Sequence, residues 1–383
     1  MDVSAVPLIA GLLIFLASLI SLRLGFSIAI IEIILGFIAG NFFSFSPEPW
    51  MAYLASFGGI VLTFLAGAEV DLPLLKSKFK ESLLIGGLSF VLPLLAGFAF
   101  SYYALGWQLY SSLIAGIALS ANSIAVVYSV LVETGLNKTS VGKIIMASTF
   151  VTNIGTALTL SVVFLKPDFF TLEFAGVSLV IILLAAKYSD ILFSNKLYKN
   201  KVAESEIKYI FLLLLALSYF ASVAQSQAIL PAFLLGLLMS PRISGTFDIT
   251  YNVKIRLRTV AYALITPFFF LLAGLRASIQ LIISSFWAFA SLFAIKQATK
   301  FVGAYLPAKK YLPKSDMYVS LLMSTGLTFG TIAAVFGYQY GYIDQAQFSV
   351  LIAIEIASAV IPTVIAEKWF KPTHAEDILN GGH

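Results

Sequence analysis

Long apolar runs, separated by short stretches of Pro, Gly and charged residues, fill almost the whole chain. Each run has about the 20 residues that a helix needs to cross a bilayer, and none alternates as a membrane strand does. Because an open sheet cannot satisfy its backbone in lipid, we predict that all the runs are helices. The chain is therefore expected to be an all-α membrane protein of about thirteen spans: 6–22, 25–44, 50–70, 82–104, 108–131, 142–165, 172–193, 207–224, 226–240, 259–279, 281–306, 317–340 and 346–369.

Composition excludes most other classes of protein. Hydrophobic residues make up 60% of the chain and charged residues only 11%, so a soluble domain, a disordered chain and a nucleic-acid-binding protein are all excluded. With no Cys and two His, thiol chemistry and imidazole clusters are not available. We expect no enzyme and no cofactor. No connection is long enough for a soluble domain, so residues 1–383 are expected to form one membrane domain.

The positions of the basic residues predict how the chain is oriented. Of the 24 lysines and arginines, 20 lie in alternate connections, whereas Lys166 and Arg276 lie on the other side. Since basic connections stay in the cytoplasm, an odd number of spans places the amino terminus outside and the carboxyl terminus inside.

Two runs carry polar and small residues at mid-membrane depth, where such residues are costly unless they face a cavity or a partner. Such a pair in corresponding halves is typical of inverted repeats with a site near the midplane. We predict that both helices unwind there and cross, although close helix packing would also favour small residues. These residues are Ser120, Asn122 and Ser123 in the fifth run, and Ser324, Thr325, Gly326, Thr328, Gly330 and Thr331 in the twelfth.

The sixth run has one polar face. Thr149, Asn153 and Thr156 follow i, i+4, i+7 spacing and share a side of the helix, and Thr152 precedes Asn153. Asn153 lies about eleven residues into the run, or roughly 16 Å at 1.5 Å per residue, which is mid-bilayer. This face either contributes to a functional site or forms hydrogen bonds between helices.

Several charged residues also fall inside predicted spans. Lys296 and Lys300 share a face, where they either offset the negative ends of broken helices or snorkel to the interface. We expect Lys296, rather than Arg276, to lie nearer the broken helices. The charge of Glu32 inside a span is explained either by an ion pair with a neighbouring helix or by a role in function. Glu355 has no neutralising neighbour in its own run. Glu69 and Asp71 close the third run, where a structural role at the interface is expected.

Four stretches resemble, in order, the membrane domain of the second cation:proton antiporter family. They are FLAGAEVDL from Phe64, the segment from Ser120 to Asn153, AILPAFLLGLLMS from Ala228, and PFFFLLAGLR from Pro267. The resemblance implies the NhaA-type fold, in which two inverted repeats of five spans contain two broken helices that cross beside an aspartate-bearing helix. The fifth and twelfth runs are similar to the crossing pair, and the sixth is similar to the aspartate helix.

The resemblance further implies exchange of Na⁺ or another monovalent cation for H⁺ by alternating access of the elevator type. It implies a homodimer in the cell membrane, with core helices in 50–165 and 259–369 and dimerisation helices in 6–44 and 172–240. Thr152 is like the polar residue of the pattern associated with electroneutral exchange. The expected ion site comprises Ser120, Asn122, Ser123, Thr149, Thr152, Asn153, Thr325, Thr328 and Glu355, with Na⁺ near Thr152 and Asn153, and with Lys296, Lys300 and Arg276 compensating charge.

Asn153 departs from the family, because it stands where the family has its indispensable aspartate. An amide carbonyl can coordinate a cation, but the amide cannot carry a proton near neutral pH. Two hypotheses remain: the antiporter is inactive or altered at this position, or Glu355 carries the proton instead. A Na⁺-coupled organic-solute symporter of the same fold and a membrane sensor without flux are the alternatives.

The two hypotheses predict opposite results for cation-dependent dissipation of ΔpH in vesicles. If residue 153 is the exchange position, the chain shows little antiport and Asn153→Asp restores it, since a buried carboxylate titrates in the working range. If Glu355 carries the proton, the chain is active and Glu355→Gln is inactive.

Overall fold

The computed structural model describes residues 5–43, 45–163, 169–194, 204–224, 226–243 and 253–372, and the regular structure in these ranges is helical. Lys166, one of the two basic residues predicted on the outer side, lies outside these ranges. The helices are α1 (Val6–Leu24), α2 (Ile28–Phe42), α3 (Pro49–Ala68), α4 (Leu72–Ser77), α5 (Phe79–Ala99), α6 (Leu109–Ser120), α7 (Ile124–Glu133), α8 (Ser140–Val163), α9 (Phe169–Ser194), α10 (Ser205–Val223), α11 (Ile229–Ile243), α12 (Val253–Val260), α13 (Thr266–Arg276), α14 (Ile279–Ser284), α15 (Phe286–Tyr311), α16 (Asp316–Met323), α17 (Thr328–Gln339) and α18 (Gln345–Trp369). Turns of π-helix at Phe100–Ala104 and Ala261–Ile265 extend α5 and join α12 to α13.

The number of helices confirms the class that the hydrophobic runs predict. Ten segments of the described chain are long and apolar enough to cross a membrane, and Ile28–Phe42 and Ile229–Pro241 are shorter apolar helices. The 26-residue α15 also has the length of a span. Large apolar side chains such as Leu8 and Leu22 are 77% and 84% exposed, as expected where the surrounding solvent is lipid. The chain is a multi-pass membrane protein.

Both predicted helix breaks are present. In the first, α6 ends at Ser120 and α7 begins at Ile124, with extended backbone at Ala121 and Ser123 between them. The Ser123 hydroxyl caps α7 by accepting a hydrogen bond from the amide of Val126 at 3.3 Å. In the second, α16 ends at Met323 and α17 begins at Thr328. The polar and small residues therefore mark real interruptions of the helices.

Contacts divide the chain into two units. The first comprises Met1–Glu48, Leu72–Thr156 and Phe270–His383, and the second comprises Pro49–Asp71 and Ala157–Phe269. Both breaks, α15 and α18 belong to the first unit, and so do α1 and α2. Which helices move together, and which form a dimer interface, stays a prediction.

Glycines set close helix contacts within each unit. In the first unit, a Cβ added at Gly86 on α5 would collide with the carbonyl oxygen of Ser148 on α8. In the second, a Cβ at Gly67 on α3 would collide with the carbonyl of Phe233 on α11. Because lipid gives helices no hydrophobic reason to associate, such backbone approach is how membrane helices gain packing energy.

Gly86→Ala and Gly87→Ala form a matched pair that tests this packing. The added methyl at position 86 would meet the backbone of α8, whereas at position 87 it would meet nothing within 4 Å. We expect Gly86→Ala to destabilise the protein by about 1–3 kcal/mol through overpacking. Gly87→Ala is expected to be neutral or slightly stabilising, since Ala favours a helix. Thermal unfolding in detergent measures both, and equal melting temperatures would contradict the contact.

Candidate functional site

The two helix breaks lie against each other. The hydroxyls of Ser123, in the first break, and Thr328, at the start of α17, are 3.4 Å apart. The side-chain amide of Asn122 donates to the sulfur of Met323, the last residue of α16, at 3.5 Å. Residues predicted from two runs about 200 positions apart therefore form one polar centre within the first unit.

Met323 connects this centre to two further helices. The hydroxyl of Thr149 on α8 donates to the carbonyl of Ile145 at 2.9 Å and lies 3.7 Å from the Met323 sulfur, and the hydroxyl of Ser89 on α5 donates to the Met323 carbonyl at 3.3 Å. Sequence reasoning missed both Met323 and Ser89. A methionine beside a Ser-Thr-Gly stretch and one serine in an apolar run carry no pattern that would have identified them.

Lys300 fills the first break. Its fully buried ammonium donates to the carbonyl oxygen of Ser120 at 2.8 Å and to Oδ1 of Asn122 at 2.6 Å. Ser120 is the last residue of α6, where the carbonyls have no partner in the helix and the helix dipole is negative. A lysine there satisfies the carbonyl and balances the dipole, so snorkelling to the interface is excluded for Lys300.

Lys296, one turn earlier on α15, forms an ion pair at the second break. Its Nζ donates to Oε1 of Glu355 on α18 at 2.7 Å, and both side chains are 0% exposed. A Cβ added at Gly326 or Gly330 would collide with this pair, so the absence of side chains there makes room for it. Glu355 thus has a neutralising neighbour, which lies 59 positions away in the chain and not in its own run.

The second oxygen of Glu355 differs from the first. Oε2 is buried and has no hydrogen-bond partner among the described residues. One carboxylate oxygen is therefore held by Lys296, while the other retains unused capacity to accept a hydrogen bond or bind a cation.

The polar face of α8 is used mainly within its own helix. The hydroxyl of Thr152 donates to the carbonyl of Thr149, and that of Thr156 donates to the carbonyl of Thr152, each at 2.8 Å. Asn153 is 1% exposed, and its Oδ1 finds no hydrogen-bond partner within the described ranges. Thr149, on this face, contacts the second break through the sulfur of Met323.

Three other residues from the sequence analysis, Thr325, Arg276 and Glu32, also lie in the first unit. The hydroxyl of Thr325 donates to the carbonyl of Leu322 in the turn that ends α16. Arg276, at the end of α13, lies over the ring of Tyr338 at 5.9 Å, near the carboxyl end of α17, whereas Lys296 lies at the second break. Glu32 is buried, and the described part of the chain provides no hydrogen-bond partner for its Oε1.

Glu69 lies in the second unit, just beyond α3. Its carboxylate is 3.8 Å from the guanidinium of Arg258. Burial raises the pKa of Glu69, and the positive charges of Arg258 and Lys254 oppose that rise. This pairing agrees with the structural role expected for Glu69.

Comparison with known proteins identifies relatives over nearly the whole chain. The family model described as "Sodium/hydrogen exchanger, transmembrane" matches residues 11–371. A protein named "Probable Na(+)/H(+) antiporter 3" from Methanocaldococcus jannaschii is 27% identical over 83% of each chain. The Na(+)/H(+) antiporter of Enterococcus hirae is 25% identical over 94% of this chain and 96% of its own.

A solved structure shares the fold. The sodium proton antiporter MjNhaP1 from Methanocaldococcus jannaschii superposes with a TM-score of 0.68 at 20% sequence identity, covering 96% of this chain and 97% of the other. At that identity the likeness is evidence for the fold alone. The expected antiporter architecture with two interrupted helices is thereby confirmed.

Lys300→Met tests whether the lysine holds the first break together. The change removes the hydrogen-bond donor of Ser120 and Asn122, and leaving buried acceptors unsatisfied costs about 1–3 kcal/mol. Lys309→Met, at an exposed position of the same helix, is the control and should stay within about 0.5 kcal/mol of wild type. Thermal unfolding in detergent compares them. Equal stability would show that the break does not depend on Lys300.

Proposed function

Because the chain belongs to the sodium/hydrogen exchanger family, we propose that it exchanges Na⁺, or another monovalent cation, for H⁺ across the membrane. It acts as a secondary transporter and carries out no catalysis, and the ions are its cargo. The transport step is alternating access of the polar centre at the two breaks.

One observation carries this proposal: two interrupted helices meet at a buried centre that contains an ion pair. Backbone groups without hydrogen-bond partners and buried charges are energetically unfavourable in a bilayer. They occur in membrane proteins where ions or substrates pass. Here, Ser123 meets Thr328 and Lys296 meets Glu355 in the same unit. Unwound backbone and half-helix ends are the elements from which transporters build ion sites.

The geometry favours small ions over an organic solute. A symporter for organic solutes needs a solute-sized space at the breaks themselves, between the interrupted helices. In this protein, the space beside Gly326 and Gly330 is filled by Lys296 and Glu355, and the first break is filled by Lys300. Family membership likewise supports exchange over a sensor without flux.

We further propose that the protein lies in the cell membrane as a homodimer, with the amino terminus outside and the carboxyl terminus in the cytoplasm. The asymmetric distribution of lysine and arginine supports the orientation. The dimer and the elevator motion rest on the family resemblance.

Reconstituted protein tests the exchange directly. In vesicles with an imposed ΔpH and a trapped pH dye, adding Na⁺, Li⁺ or K⁺ should collapse the gradient for at least one of these cations. N-methylglucamine, a large organic cation, should leave the gradient unchanged, as should Na⁺ with protein-free vesicles. A Na⁺ gradient alone should generate no membrane potential, because we expect electroneutral exchange. No response to any of the three small cations would contradict the proposed function.

A further inference from the structure

The proposed exchange requires a group that binds the cation in one state of the transport cycle and does not bind it in the other. Asn153 and the threonines of α8 have no ionisable group in the working range. Among the residues that the structure describes at the two breaks, Glu355 is the one that has a carboxylate. Its position on α18 differs from that of the α8 residue that the family resemblance indicates.

A cavity lies beside the part of α18 that follows Glu355. It has a volume of about 440 Å³ and is lined by Leu24, Val126, Ala359, Thr363, Glu367 and Lys368, among others. Leu24 and Lys368 are exposed, so the cavity extends from the protein surface.

The cavity runs along the carboxyl-terminal part of α18. Ala359 lies one turn after Glu355 on the same face of the helix, and Thr363 and Glu367 line the cavity further along. At 1.5 Å per residue, Ala359 lies roughly 6 Å along the helix axis from Glu355. On α7, Val126 lies three residues after Ser123 of the first break. Residues that line the cavity therefore come within one helical turn, along the chain, of Glu355 on α18 and of Ser123 on α7.

We propose that the Glu355 carboxylate and the Lys296 ammonium form the exchange site, and this inference rests on the proposed exchange function. In the proton-loaded state, Lys296 is protonated and donates to Oε1 of Glu355, as in this structure. An incoming cation binds the carboxylate through Oε2, which has no hydrogen-bond partner in the described chain, and displaces the ammonium.

The displaced ammonium then has no buried counter-ion, and an unpaired buried charge is strongly unfavourable. Lys296 therefore releases its proton to the cavity and stays as a neutral amine. One positive charge enters the site and one leaves it, so one cation is exchanged for one proton and the exchange is electroneutral. Lys300 is the other cation acting on Glu355, and its hydrogen bonds to Ser120 and Asn122 keep it at the first break.

The double variant Lys296→Met/Glu355→Gln is the decisive test. Replacing a buried ion pair by neutral side chains avoids the unpaired charge that either single change would leave, so the variant should fold. We expect it to melt near the wild-type temperature and to lose Na⁺-dependent ΔpH dissipation completely. Glu81→Gln/Lys309→Met makes the same chemical changes at residues outside the breaks and should exchange as wild type does.

A second readout does not depend on transport. Bound cation stabilises the state that binds it, so Na⁺ should raise the melting temperature of wild type relative to N-methylglucamine. The double variant should show no such shift. Lys296→Arg should also lose antiport, because a guanidinium keeps its proton in proteins.

The outcomes distinguish a failure of the proposed exchange site from a failure of the proposed exchange function. Exchange by the double variant at the wild-type rate overturns the site and leaves the exchange function intact. If the wild type exchanges no cation, the proposed function fails and the inference fails with it. An active Asn153→Asp variant would in that case assign the exchange position to residue 153.

Discussion

The constraint on which the site depends is that backbone groups inside a membrane must find partners in the protein. Interrupting a helix removes the intrahelical partners of its last carbonyls and first amides, and lipid cannot replace them. In this protein the Ser120 carbonyl is bound by Lys300, and the amide of Val126 is bound by the Ser123 hydroxyl. The breaks are stable because the residues around them provide these hydrogen bonds.

The same constraint explains why charges can be tolerated at such depth. An isolated ammonium or carboxylate would be too costly there, but Lys296 and Glu355 neutralise each other, and Lys300 lies at the negative end of α6. Each charge thus has a partner that would itself be unfavourable if left alone. For Lys296 and Glu355 the partner is the opposite charge, and for Lys300 it is the free carbonyl at the end of α6. An ion that competed for one partner would leave the other charge unpaired, and an unpaired buried charge is strongly unfavourable.

Much of this arrangement could be predicted from the sequence, because lipid imposes simple rules on length and polarity. The spans, the two breaks and the polar candidates around Ser120 and Thr325 all follow from what a bilayer excludes. The pairing of Lys296 with Glu355 could not be predicted, since it joins two helices through tertiary packing and leaves no local pattern. The contributions of Met323 and Ser89 also depend on how helices pack.

The spacing of the two lysines has a consequence for the helical register of α15. Lys296 and Lys300 are one turn apart, and each is committed to a different break. A single residue inserted between them would rotate one lysine by about 100° around the helix and leave its break without a cation, since a turn takes 3.6 residues. The segment between them should therefore tolerate substitution far better than any change in length.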